Sequence, residues 1–420
     1  MMKETKTTKE LKIIDYGYDG EGVGKIDGKV CFVPYTLIDE VVEFSPLQEK
    51  KSFCKGKLVG IYDKSDKRID APCPYFTKCG GCSYQHTNYN NELQIKKLLL
   101  SRQLAKIEYS GDIELVPSEK EYGYRNKLKL YVDESSIGLY YKGSNKICPI
   151  QDCLLVDNLI SKAILPIKNF VEGNKLYRFI QNIVLRQENE SCLINFILKS
   201  YKDINYQGLY LLLGKNYGIF QTYDNEEQHI VGLKSLSCEE FGLKCNFSPS
   251  SFHQVNKYLG NKLYEIVLNE IKGKNILNCY SGAGVLSGMI ANIGNNVTAI
   301  ELGKHEHNDA EKLKQENDLI SLTNICGDCQ KVIPYLKNNF DTIIVDPPRS
   351  GMAIDVCNEI SKKNFKRLIY ISCDSATLVR DLQRLTNVKI KKVHLVDMFA
   401  RTGEYETVVI LNKGYKITEN

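Results

Sequence analysis

No stretch of the chain approaches the ~20 consecutive apolar residues that a membrane-spanning helix requires, and the segment around Leu209–Leu213 is far too short. The opening MMKETKTTKELK alternates Lys with Thr and Glu and has no apolar run. The expectation is therefore of no secretory leader and of a mature start here, in the cytoplasm and off the membrane. Low-complexity tracts are missing too: 43% hydrophobic and 25% charged residues are the balance of folded domains. A length of 420 residues exceeds one ordinary core, so two or three domains are expected. Nor does one charge dominate. A net charge of +5 permits a polyanionic partner without demanding one.

Cysteine, by contrast, is plentiful. The fifteen residues are odd in number and scattered, with no leader beside them, which argues against a disulfide framework and for metal ligation or catalysis. Cys73, Cys79 and Cys82 cluster in CPYFTKCGGC, and Cys148 and Cys153 follow in ICPIQDC. Three close thiolates and a distant fourth suit tetrahedral zinc or a four-cysteine iron–sulfur cluster, between which spacing does not decide.

From Leu11 to Tyr62 short alternating strands separated by turns read as a small closed barrel, with Gly17, Gly20, Gly22, Gly24 and Gly28 serving turns and bulges. Charge and two prolines in KSDKRIDAPCPYF end that pattern near residue 65. NYNNELQIKKLLLSRQLAKI then reads as an amphipathic helix, with Leu93, the stems of Lys96 and Lys97, Leu100 and Leu104 on its apolar side and a basic outer face. Residues 112–250 read as an antiparallel α+β unit. From Asn256 strand, loop and helix alternate, the signature of a doubly wound parallel sheet, with VHLVDM and YETVVILN as an antiparallel edge. The expected domains are residues 1–65, 66–250 and 251–420.

The last of these carries the chemistry. NILNCYSGAG leads a strand into a glycine loop and a helix, whose free N–H groups face a ligand above the sheet. The next strand ends in Glu301, placed to accept both hydroxyls of a ribose. In FDTIIVDPPRSG, Asp346 closes an apolar strand and two prolines stiffen a rim suited to a planar base; a helix cap is the alternative role for Asp346. RLIYISCDSATLVRDL sets Cys373 between a strand and a helix, where the helix-start dipole is expected to lower the thiol's pKa. GEYETVVIL offers Glu406 as a general base, with Glu404 as a rival on the same strand face.

CPYFTKCGGCSYQH, YGYRNKLKL, FHQVN at 252–256, ILNCYSGAG, DPPRSG, SCDSATLVRDL and DMFARTGEYETVVIL follow one another over nearly the whole chain. In this order they resemble the RNA uracil-5-methyltransferase family, in particular its iron–sulfur members that modify 23S ribosomal RNA. The resemblance implies a multidomain α/β protein: an N-terminal OB-type TRAM β-barrel that binds RNA, a central α+β iron–sulfur domain, and a C-terminal Rossmann-like methyltransferase domain. It implies a [4Fe–4S] cluster on Cys73, Cys79, Cys82 and Cys153, with Cys148 the extra thiol. It also implies S-adenosylmethionine bound by Gln254, Tyr280, Glu301, Asp328 and Asp346. Cys373 would add to C6 of a uridine, making C5 nucleophilic enough to take the methyl group, and Glu406 would remove the C5 proton. Phe252 would fill the gap left by the flipped base. A monomer acting on 23S ribosomal RNA, with 5-methyluridine as product, completes the expectation.

Four places depart from the family's usual pattern. Asn278 stands where the strand usually ends in Asp, Ser281 where the loop usually carries Cys, Ser375 where Pro often follows, and Ala400–Arg401 where Pro usually precedes the base segment. Three competing readings remain: the same chemistry on the T-loop of transfer RNA, an NADP-dependent oxidoreductase suggested by GAGVLSG, and a non-catalytic RNA-binding assembly protein. The cluster and barrel favour ribosomal over transfer RNA. An oxidoreductase leaves DPPR, Cys373 and the barrel unexplained.

Overall fold

The computed structural model describes residues 8–249, 254–336 and 339–414, so Phe252 lies outside the described residues. The first sheet has six strands in the order Lys9–Lys12, Val41–Glu49, Phe53–Asp63, Lys29–Val33, Gly22–Ile26, Asp15–Tyr16. It curls until Ile14 N–H donates to the carbonyl of Val23 at 2.8 Å, around a small core of Leu11, Ile13, Val33, Val42 and Phe44. Gly20, at φ +76°, is required here: a Cβ would fall 1.8 Å from the Tyr84 hydroxyl, where the barrel leans on the following segment.

The second sheet has seven strands, from Ile147–Pro149 at one edge through Lys127–Val132, Ile180–Glu188 and Ser191–Leu198 to Glu226–Gly232 at the other. All its pairings are antiparallel except that of Ser191–Leu198 with Tyr217–Tyr223. Helices Asn158–Gly173 and Gln207–Leu213 cover one face, because Leu128, Leu130, Ile183, Leu185 and Ile194 alternate onto it with the period-2 pleat. A hairpin of Leu236–Glu240 and Leu243–Phe247 follows. Phe241 and Gly242, both at positive φ, close it in the two-residue manner that matches strand twist.

The third sheet has eight strands, in the order Leu322–Cys326, Asn296–Glu301, Asn275–Cys279, Thr342–Val345, Arg367–Ser372, Glu406–Lys413, Val388–Val396, Ile113–Val116. The first five are parallel, and their apolar runs (IIV, LIYIS) are buried on both faces as such strands must be. Chain order reverses between Asn275–Cys279 and Thr342–Val345, which opens a crevice at the strands' carboxyl ends. Glu406–Lys413 and Val388–Val396 pair antiparallel as expected, but they are not the edge. Ile113–Val116, from inside the 66–250 segment, adds in parallel outside them. The helix Tyr89–Leu104 comes with it, burying Leu100 and Leu104 in the core of the third sheet.

In that helix the structure buries the charged end of Lys96 as well as the stem expected on the apolar side. Lys97 is half-buried, whereas Lys96 is wholly buried, donating to Glu92 at 2.8 Å, to Asp397 at 2.5 Å and to the carbonyl of Phe399 at 3.3 Å. Two carboxylates outweigh its burial and hold its pKa above the ordinary lysine value.

Candidate active site

The crevice is a cavity of about 550 Å³ at the switch point, and Gln254, Tyr280, Glu301, Asp328, Asp346, Cys373 and Glu406 all line it. Each arrives from a different element. Asn278 is buried at the end of its strand and donates to Ser287 Oγ at 2.8 Å, so amide and hydroxyl satisfy each other inside the domain. The loop after it turns through Tyr280 (φ +61°), Gly282 (φ +56°) and Gly284 (φ +81°) before the helix Val285–Asn292 begins. Ser281 also borders the cavity. At Gly284 a Cβ would stand 2.7 Å from that of Ala310, so only glycine lets the neighbouring helix approach.

Glu301 braces this loop. One carboxylate oxygen accepts from Gly282 N–H at 2.8 Å and the other from Gly303 N–H at 2.7 Å. A carboxylate has about four acceptor positions, so lone pairs remain for ligand hydroxyls. Asp328 caps the short helix Cys329–Val332 through Gln330 N–H at 2.9 Å while its residue borders the cavity. Gln254 is fixed twice: its carbonyl accepts from the Asn126 side chain at 3.1 Å, and its side chain is hydrogen-bonded to Tyr264. Asn256 caps the helix Lys257–Glu270 and also donates to the carbonyl of Met398 at 3.2 Å.

Asp346 is not a helix cap, since the next helix, Ile354–Lys362, starts beyond it with Ala353 at its cap. Burial lifts its carboxyl from 3.8 to about 7. Cys373 lies between Arg367–Ser372 and the helix Ser375–Arg384, which Asp374 caps. Its thiol is not depressed as the helix start suggested. Burial, and then the charges of Glu406 and Asp346, push it up to about 11 against the pull of Arg349. Glu406 is buried and held well above the ordinary glutamate value by desolvation and by Asp346 and Glu404, with Arg349 opposing. Glu404 does not share its strand face. It precedes the strand, half-exposed, and pairs with Arg349 at the rim.

Glu301, Glu306, Asp328, Asp346 and Glu406 therefore share one cavity, and among the described residues that line it Arg349 is the single cation. Motif reading passed over Arg349 as a cavity residue, although it stands directly after the two prolines of DPPR. Where a proline was expected before the base segment, Ala400 is buried and Arg401 ties the loop down. The guanidinium donates to the carbonyls of Thr87 (2.7 Å) and Tyr84 (3.3 Å) and pairs with Glu121, while its backbone N–H donates to Glu92 at 2.7 Å. Hydrogen bonds thus supply the rigidity that a pyrrolidine ring would give.

Away from this cavity, Cys73, Cys79, Cys82 and Cys153 come near enough for their charges to act on one another. Burial pushes Cys79 up to about 11 and Cys82 up to about 12. Cys148 is buried in the core of the seven-stranded sheet.

Comparison with known proteins adds four findings. A family described as tRNA (Uracil-5-)-methyltransferase matches residues 330–414. The chain is 30% identical to the 23S rRNA (uracil(1939)-C(5))-methyltransferase of Francisella tularensis subsp. novicida, over 96% of this chain and 96% of that one. It is 28% identical to an uncharacterized RNA methyltransferase of Fusobacterium nucleatum, over 96% and 95% respectively. Among solved structures, the tRNA (uracil-54, C5)-methyltransferase of Pyrococcus abyssi, in complex with S-adenosyl-L-homocysteine, aligns with a TM-score of 0.80 at 24% identity. That alignment covers 96% of this chain and 100% of the other, and it establishes the fold.

Proposed function

The chain belongs to the RNA uracil-5-methyltransferase family, and from that premise we propose that it methylates C5 of a uridine in 23S ribosomal RNA through a covalent bond from Cys373. The observation that carries this reading is the convergence of Cys373, Glu406 and Asp346 on the cavity that the glycine loop and Glu301 also border. S-adenosylmethionine in that cavity, with Gln254, Tyr280, Glu301, Asp328 and Asp346 around it, supplies a methyl group on a cationic sulfur. A positive charge there favours ionisation of both Asp346 and Cys373, against the burial that raises the proton affinity of each.

The thiolate of Cys373 adds to C6 and drives electrons onto C5. C5 takes the methyl carbon, whose bond to sulfur breaks with the electron pair leaving on S-adenosylhomocysteine. Glu406 then accepts the C5 proton, the C5–C6 double bond re-forms and the thiolate is expelled. Burial that raises the affinity of Glu406 for a proton suits it to this last step.

For the [4Fe–4S] cluster, the residues present fit. Gly81 N–H points at Cys79 Sγ at 3.4 Å, a Gln85 side-chain bond reaches Cys82, and Leu155 and Val156 N–H groups reach Cys153. Such N–H···S bonds stabilise thiolate ligands. Cys73, Cys79, Cys82 and Cys153 would hold the cluster, which braces the segment between barrel and central sheet. The N-terminal barrel, read as a TRAM domain, supplies RNA affinity.

The test is transfer from labelled S-adenosylmethionine to 23S ribosomal RNA transcripts and to transfer RNA, with 5-fluorouridine RNA as a trap. Label at C5 of a 23S uridine and a protein–RNA adduct stable to denaturation are expected. Methylation of transfer RNA alone would refute the ribosomal assignment, and methylation without an adduct would refute the covalent route.

A further inference from the structure

A second thiol site lies far from the four cysteines assigned to the cluster. In the hairpin Leu236–Glu240 / Leu243–Phe247, Cys238 stands directly opposite Cys245. Glu240 is two residues from Cys238, hence on the same face. Its carboxylate and the two sulfurs lie within 4.8 Å of one another. The rest of that face is Leu236, Leu243 and Phe247, all buried, so Glu240 is a carboxylate set in an apolar layer beside two thiols.

We propose that Cys238, Glu240 and Cys245 bind a divalent, thiolate-preferring cation of the zinc class. Tetrahedral zinc with Zn–S near 2.3 Å and Zn–O near 2.1 Å holds its donors about 3.6–3.8 Å apart, a distance these three reach by small side-chain rotations. Two soft sulfurs and one carboxylate select zinc over magnesium or calcium. Solvent takes the fourth vertex.

The position gives such an ion a task. One strand of the hairpin packs on the central sheet, and the other on the helices Val285–Asn292 and Lys304–Glu316 of the third. Leu193 and Phe220 from the central sheet meet Leu259, Val285 and Met289 in the same core around it. A metal here staples two domains behind the cavity wall, where Tyr264 and Gln254 meet. This site is independent of the proposed methylation chemistry.

The experiment uses the full chain purified without chelator. Zinc and iron per chain are measured for the wild type, for Cys238→Ser/Cys245→Ser, for Glu240→Gln and for Cys357→Ser, a buried cysteine of another core. The wild type and Cys357→Ser should hold one zinc beyond the iron, the double variant none, and all four the same iron. Glu240→Gln leaves both thiols in place, so it should keep its circular dichroism yet release zinc to a competing chelator sooner than the wild type. Added zinc chloride should raise the unfolding temperature of metal-stripped wild type and leave the double variant unmoved. A wild type that neither holds nor takes up zinc overturns the proposal. So does a double variant with wild-type zinc content, or a native Cys238–Cys245 disulfide in peptide maps.

Discussion

Replacing Asp346 by Asn should stabilise the catalytic sheet while removing its activity. Burial alone raises the Asp346 carboxyl from 3.8 to about 7. A carboxyl whose folded-state pKa lies above the unfolded one leaves stability intact below the unfolded value, and stability falls as pH rises through the folded value. At about 1.4 kcal/mol per pKa unit, an interval of roughly three units takes away about 4 kcal/mol by pH 8 and about 1.5 kcal/mol by pH 5. Asn has no charge to desolvate, but an unpaired buried amide costs about 1–2 kcal/mol. The variant should therefore gain about 2–3 kcal/mol at pH 8 and almost nothing at pH 5. Hydrogen exchange of the Thr342–Val345 amides in ligand-free protein reads this locally, without assuming that three sheets unfold together. A variant no more stable than wild type at pH 8, or a gain that does not grow with pH, would refute the reasoning.

Cys373→Ala should abolish methyl transfer and adduct formation together, whereas Glu406→Gln should accumulate methylated RNA still attached to protein, both read on a denaturing gel; a Cys373→Ala enzyme that methylates would falsify the mechanism. Arg349→Ala removes a cation that pulls the Cys373 thiol down, so its alkylation by iodoacetamide near pH 8 should slow; an unchanged rate would show that the guanidinium does not act on the thiol. Lys96→Met leaves Asp397 buried without its cation and Glu92 with Arg401 alone, and should cost about 3–5 kcal/mol in urea unfolding; a loss under about 1 kcal/mol would mean that water reaches the triad. Deleting residues 1–63 should weaken RNA binding and flatten its salt dependence, with S-adenosylmethionine binding retained; RNA affinity equal to that of the full chain would contradict the role given to the barrel.

The catalytic half was legible because its strands announce themselves. Apolar runs of four to six residues end in polar groups, and in a parallel sheet every such end lies on one edge, so Glu301, Asp346 and Cys373 had to meet. What escaped reading depends on partners far away in the chain. Lys96 looks like a surface residue until Asp397 is found beside it. The Cys373 thiol looked activated by its helix, but burial, and after it carboxylates from two other strands, outweigh a dipole that fades within one turn. Ile113–Val116 is too short to declare a sheet, and its partner Val388–Val396 carries no mark of the pairing.

That pairing sets an order of events during synthesis. Ile113 leaves the ribosome about 280 residues before Val393, its partner in the ladder. At roughly 5–20 residues per second the interval is about 15–60 s. The barrel and the seven-stranded sheet have their partners early and can close during that time. Leu100, Leu104 and Ile113 cannot, since the core that receives them does not yet exist. A nascent chain thus carries an exposed apolar helix and an open strand until its last segment arrives, a window in which a chaperone has something to hold and an incomplete chain has something to betray it.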